Sequence, residues 1–163
     1  MARQRENVLV IHPSHTGIPG GVGEALHKVA AQEPDVRFGW RKRDEHEAVI
    51  HASIPDADER AGIGHMTWHA GPAKPERVRT NRYGEEVRDP AVGQGEIDEL
   101  HVDSAYRRQG IASAMWHVSR QLLPYVAPEH SPHRTKKGDA WARAVGGPLP
   151  KQQEAAWNPL RDD

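Results

Sequence analysis

The sequence predicts an α+β domain whose mixed, mostly antiparallel sheet is flanked by helices. Three features carry this prediction. Residues 7–11 are a short β-branched run, and alternating segments at 48–54 and 61–70 are joined by a polar turn. Between residues 96 and 123 a strand pattern passes through a basic turn into an amphipathic helix. Short strands separated by turn residues pair most economically as antiparallel neighbours.

Composition bounds what such a domain can do. At 163 residues the chain is one domain by size, expected over residues 1–150 with a polar tail at 151–163. A hydrophobic share of 36% with 13 Pro and 15 Gly points to a loop-rich domain rather than a helical bundle. Lys and Arg total 22 against 23 Asp and Glu, a net charge of −1 that leaves no footprint for nucleic acid or an anionic membrane. The absence of cysteine excludes disulfides, a thiolate nucleophile and a thiolate metal site. No stretch approaches the roughly 20 apolar residues that cross a bilayer, so a soluble, cytoplasmic protein is expected. The 11 histidines are scattered. His65 and His69 have ligand-like spacing but fall in a strand, which separates them by about 13 Å; no metal site is expected.

After the strand at 7–11, Thr16 to Gly21 reads as a turn and Val22 to Gln32 as a helix with Val22, Leu26 and Val29 on one side. Gly20 to Gly23 lacks the Lys-Ser/Thr of a nucleotide loop, so it reads as a plain turn. Residues 36–40 are a further strand, and 48–54 with 61–70 form a hairpin around Pro55–Arg60. Residues 71–94, rich in Pro, Gly, Arg and Glu, read as a long loop of the kind that edges a binding site. Gln109 to Leu123 has helical period, with Ile111, Ala114, Met115, Val118 and Leu122 as its apolar stripe. A next strand is sought at Val126–Ser131, and a shorter helix spans Gly138 to Val145, stopped by Gly146-Gly147-Pro148. Trp157 and Leu160 could dock the tail.

Chemistry concentrates in the strand–turn–helix. The turn Arg107-Arg108-Gln109-Gly110-Ile111-Ala112 opens a helix whose first amides lack intrahelical acceptors. Those amides and the positive end of the helix dipole suit a pyrophosphate. Gly110 and Ala112 let phosphate approach the backbone, and Arg107 and Arg108 add charge.

Leu100-x-Val102 followed by Arg107-x-x-Gly110-x-Ala112 resembles the acetyl-CoA motif of the GCN5-related N-acetyltransferase superfamily. The close match covers about a sixth of the chain, and the element order before it extends the likeness loosely. The resemblance implies a family fold in which the cofactor enters where two strands diverge. It implies acetyl-CoA as co-substrate, with the backbone of Leu100, His101 and Val102 along the pantetheine arm. The amides of Arg108, Gln109, Gly110, Ile111, Ala112 and Ser113 would hold the pyrophosphate.

Acetyl transfer to an amine needs a base. Glu96, Asp98 and Glu99 stand in a strand, where carboxylates are uncommon. Glu96 lies eleven residues before Arg107, the position of the base in the histone-modifying branch of that family. Glu99, on the opposite face by alternation, serves instead if that face lines the cleft. The other reading is that these carboxylates bind a cationic substrate or neighbouring arginines without moving protons. For the acid, the family often uses a Tyr on the helix after the next strand, but Gly138–Val145 holds Trp141 and no Tyr. Tyr125 is the alternative, with His130, Ser131 and His133 beside it.

The family usually adds two further strands, and the 16 residues after Gly147 have little strand character. The acceptor site is therefore either reduced or completed by a second subunit in a homodimer. The stretch from His130-Ser131 through Arg134-Thr135 to Gly138-x-Ala140-Trp141-Ala142 is similar to stretches in acetyltransferase-like proteins of actinobacteria and their phages. By itself it reads as a helix capped by Thr135 or Asp139, with Trp141 packed inward. The expected function is N-acetylation of a primary amine on a small molecule or protein. The alternatives are a catalytically inactive coenzyme A-binding module, or a toxin-like acyltransferase acting on nucleic-acid-linked substrates through the clusters Arg41–Arg43 and Arg77–Arg82.

Overall fold

A computed structural model describes residues 9–11, 28–29, 31–32, 35–121 and 126–152. The described chain is α+β. Strands β1 (Leu9–Ile11), β2 (Arg37–Lys42), β3 (Glu47–Asp56), β4 (Glu59–His69) and β7 (Ile97–Val102) form one antiparallel sheet in the order β1-β2-β3-β4-β7. β5 (Arg77–Thr80) and β6 (Glu86–Asp89) form a separate two-stranded ribbon. Helix α1 (Ile111–Gln121) lies against β3, β4 and β7, and α2 (Lys136–Val145) follows it. Lys28 and Val29 are helical; the rest of the helix expected at 22–32 is largely outside the described residues, as are the turns at 16–23 and both Trp157 and Leu160.

The hairpin read from the sequence is present, with β3 and β4 paired from Glu47↔His69 to Asp56↔Glu59. The core lies between this sheet and α1. Phe38, Ile50, Met66, Trp68, Ile111 and Met115 are fully buried there. The helix buries more than its expected stripe, because Trp116 and Ser119 are also inaccessible. Trp68 reaches furthest, donating its indole N–H to the Val126 carbonyl at 2.8 Å, which ties the sheet to the chain leaving α1.

Two expectations are corrected. Residues 71–94 are not a plain loop but a ribbon, extended by the bridge Lys74↔Val92 and closed at Asn81, whose side chain accepts the amides of Tyr83 and Glu85. Hydrophobic alternation missed it because periodicity records burial of one face, and β5 is exposed at every residue. The alternation expected from Glu96 to Val102 is also broken. Ile97 and Glu99 oppose consecutive residues Trp68 and Thr67, so Asp98 is the inserted residue of a β-bulge.

Trp68→Ala is expected to cost about 3–5 kcal/mol, measured as a lower free energy of unfolding in urea. A change under about 1 kcal/mol would mean that the indole is not a core element.

Candidate functional site

The strand–turn–helix is built as its sequence requires. Leu100 and Val102 pack against the core, while His101 faces the other way and its Nε2 meets Asp103 at 3.0 Å. A 3-10 turn at Ser104–Tyr106 leads to Arg107, whose Nε donates back to the Val102 carbonyl at 2.9 Å. Two residues then take left-handed backbone, Arg108 at φ 63° and Gly110 at φ 84°. The first helical bond runs from the Ala114 amide to the Gly110 carbonyl at 2.9 Å. The amides of Ile111, Ala112 and Ser113 therefore open α1 without intrahelical acceptors. A Cβ at Gly110 would lie 3.6 Å from the Lys28 side chain, so a lysine stem from another element crosses this turn. Glycine relieves the strain at position 110, whereas at position 108 an arginine tolerates it.

β7 is an edge strand. Its outer side meets the chain after α1 at one point, a parallel bridge Glu96↔Glu129. The Ile97 amide donates to the Glu129 carbonyl at 3.0 Å, and the Glu129 amide donates to the Gly95 carbonyl at 2.7 Å. Gly95 permits this with φ 87°, since a Cβ there would come within 2.6 Å of the Ala127 carbonyl oxygen. The strand sought at Val126–Ser131 is thus a single bridge. Beyond it, no described strand pairs with that edge of β7.

At this bridge lies a cleft of about 610 Å³. The ribbon contributes Glu76 and Arg88 to it, and the chain beyond the bridge contributes Glu129, His130 and His133. Glu96 lines it with its carboxylate fixed at both oxygens. Ser131 Oγ donates to Oε1 at 2.6 Å, and the Gly93 amide donates to Oε2 at 2.8 Å. Ser131 Oγ also accepts the His133 amide at 3.0 Å. The Nδ1 of His133 is buried without a hydrogen-bond partner. Glu129 meets Arg120 at 3.3 Å.

Of the other sequence candidates, Glu99 does not join this cleft. It pairs with His65 Nε2 across the strands at 3.3 Å, next to the His65–His101 ring contact. Tyr125 lies outside the described residues. His130 borders the cleft but its ring is already engaged: its Nε2 donates to the Gly146 carbonyl at 2.8 Å, and the ring stacks on Trp116 at 4.0 Å with Trp141 edge-on to both. Ser131 is the polar side chain among these candidates that the fold brings to Glu96, and the His133 amide is bonded to the same hydroxyl.

Composition could not assign a role to Arg134 and Asp139, and the structure makes them a clamp. Arg134 donates to the carbonyls of Ser131 at 2.6 Å and Pro150 at 2.9 Å, and pairs with Asp139 at 2.9 Å. Hydrogen bonds from Arg143 and then Arg134 hold the Asp139 carboxyl below the usual aspartate value. Thr135 is the helix cap, accepting the Gly138 amide at 3.0 Å. The signal was the Arg134/Asp139 pair, but a five-residue spacing carries no regular helical or strand meaning. Among the described residues no three His, Asp or Glu side chains are placed to hold a metal ion, and no helix is long and apolar enough to cross a membrane. Comparison with family models, with characterised proteins and with solved structures gave no match.

Burial in the tryptophan stack holds the His130 imidazole below the ordinary value of 6.5; the Gly146 carbonyl opposes this, and Arg134 and Arg120 reinforce it. The native state therefore binds fewer protons there than the unfolded chain below pH 6.5, so this contribution is present above that pH and lost as pH falls. His130→Phe keeps a stacking ring but loses the bond to Gly146, at a cost of about 1 kcal/mol near pH 7.5. In urea unfolding the gap between wild type and variant is expected to narrow by pH 5.5. A gap independent of pH would assign the histidine no role in acid sensitivity.

Proposed function

We propose that the chain is an acetyl-CoA-dependent N-acetyltransferase of the GCN5-related type, transferring acetyl directly to a primary amine. The observation that carries this reading is the left-handed Arg108–Gly110 turn opening α1 at the end of edge strand β7. That turn suits a pyrophosphate: the first amides of α1 lack intrahelical acceptors, Gly110 relieves the left-handed backbone that presents them, and Arg108 adds positive charge beside them. The outer edge of β7 at Leu100–Val102, where no described strand pairs, suits an extended arm that forms strand-like hydrogen bonds. The bridge at Glu96↔Glu129, followed by divergence, supports the family's frame. The described residues after α2 hold no strand, and the β5–β6 ribbon stands as the wall of the acceptor cleft instead.

In this reading Glu96 is the base. It takes a proton from the bound ammonium, and the freed lone pair forms a C–N bond at the thioester carbonyl as the C–S bond breaks. The departing sulfur takes the second amine proton, so the net products are the amide, the thiol and one proton on Glu96. Ser131 and the Gly93 amide keep the carboxylate oriented. Glu99, paired with His65 outside the cleft, is a bystander.

Calorimetric titration of the full chain with acetyl-CoA, with ATP as control, is the first test. Micromolar acetyl-CoA binding is expected, weakened strongly by Gly110→Glu in a variant with an unchanged circular dichroism spectrum. Glu96→Gln should leave that affinity intact while slowing amine-dependent thiol release by about 10²-fold or more, and Glu99→Gln should change neither. Absence of binding at millimolar acetyl-CoA would sink the proposal.

A further inference from the structure

We infer that the cleft takes one primary ammonium on an unbranched alkyl stem, held by the Glu96 carboxylate, rather than a polyamine or aminoglycoside. This rests on the transferase reading only for what becomes of the amine once bound.

Three carboxylates line the cleft, and two are already neutralised. Glu129 is paired with Arg120 at 3.3 Å, and Glu76 with Arg88 at 3.6 Å. Glu96 differs. Among the described residues no cationic side chain lies within ion-pair distance of it, and its two oxygens accept only from a hydroxyl and an amide, both neutral. The lining thus carries one uncompensated negative charge in a partly enclosed space, which favours one cation.

The donor that orients this carboxylate is itself fixed: the Ser131 hydroxyl that donates to Glu96 also accepts the His133 amide at 3.0 Å. A primary ammonium has three donors, enough to reach the carboxylate without displacing those neutral partners.

The walls select the rest of the ligand. Pro90, Pro132 and Pro150 offer rigid apolar faces to an alkyl stem, without further charge. A second or third cation would meet the Arg88 guanidinium, or carboxylates that Arg88 and Arg120 already hold. A lysine side chain in a peptide and a free alkylamine share the required chemistry.

The test is an amide NMR titration of the full chain with n-butylamine, Nα-acetyl-lysine N-methylamide and spermidine, each with and without coenzyme A. Saturable shifts at Gly93, Glu96 and Ser131–His133 are expected with both monoamines. Glu96→Gln should abolish them while the remaining spectrum is retained. Spermidine should bind no more than about threefold tighter than the monoamines. Arg88→Gln, which releases Glu76, should raise the affinity for spermidine relative to butylamine by about threefold. Preference for the lysine derivative over butylamine would identify a peptide source, and equal affinity a free amine.

Spermidine binding about tenfold tighter than the monoamines, monoamine shifts that survive Glu96→Gln, or no monoamine shifts under either condition would overturn the inference. Amine shifts without acetyl-CoA binding would remove the transferase reading and leave this site. Acetyl-CoA binding without amine shifts would do the reverse.

Discussion

The pair of hydrogen bonds joining Gly95 and Ile97 to Glu129 is the constraint on which the site depends. It joins the edge of the main sheet to the chain returning from α1, and among the described residues it does so through a single bridge. The acidic group of the cleft and its donor are placed by that contact. Glu96 sits between the two bonded residues, and Ser131 follows Glu129 closely enough for its hydroxyl to reach the Glu96 carboxylate at 2.6 Å. A longer ladder would close the edge of β7, and no ladder would leave the carboxylate without its donor. The bridge needs a left-handed Gly95 with no Cβ, so a single backbone requirement sets the position of the acidic group.

A one-point contact is weak in isolation, and the fold reinforces it from behind. Arg134 ties Ser131 to Pro150 and Asp139. His130 is wedged against Trp116 and fastened to Gly146. Arg120 lies over the Trp116 ring at 4.9 Å and donates to Glu129 at 3.3 Å. These interactions link the short segment 129–134 to α1, to α2 and its cap, and to Pro150 beyond it. This segment has no regular secondary structure of its own, so side-chain hydrogen bonds and stacking do the work that a strand ladder does elsewhere in the sheet. Residues lining the cleft are therefore largely committed to holding the backbone, and Glu96 stands out as a carboxylate bonded only to neutral donors.

Legibility in the sequence followed burial. The β3–β4 hairpin, β2 and α1 were readable because each buries apolar residues at a regular period: Phe38 and Trp40 on β2, Ile50 and Ala52 on β3, Ile111, Ala114, Met115 and Val118 on α1. The ribbon at 77–89 was not readable, since neither of its faces is buried and its turn is stabilised by the Asn81 side chain. The bulge at Asp98 was equally hidden, because an inserted residue is defined only by the strand it fails to match. The order strand, turn and helix was legible, though the bulge within the strand and the left-handed Arg108 were not.

Among the site residues, the sequence alone determined a glycine at the head of α1, the density of carboxylates on the last strand and the absence of thiol chemistry. These depend on residue type and local spacing. Only the tertiary structure separated Glu96 from Glu99, because the choice turns on what lies across the strand: Ser131 and a cleft for one, His65 for the other. It also showed that Arg120 and Arg88 neutralise Glu129 and Glu76. Ion pairing and burial are relations between distant segments, and the order of residues along the chain does not contain them.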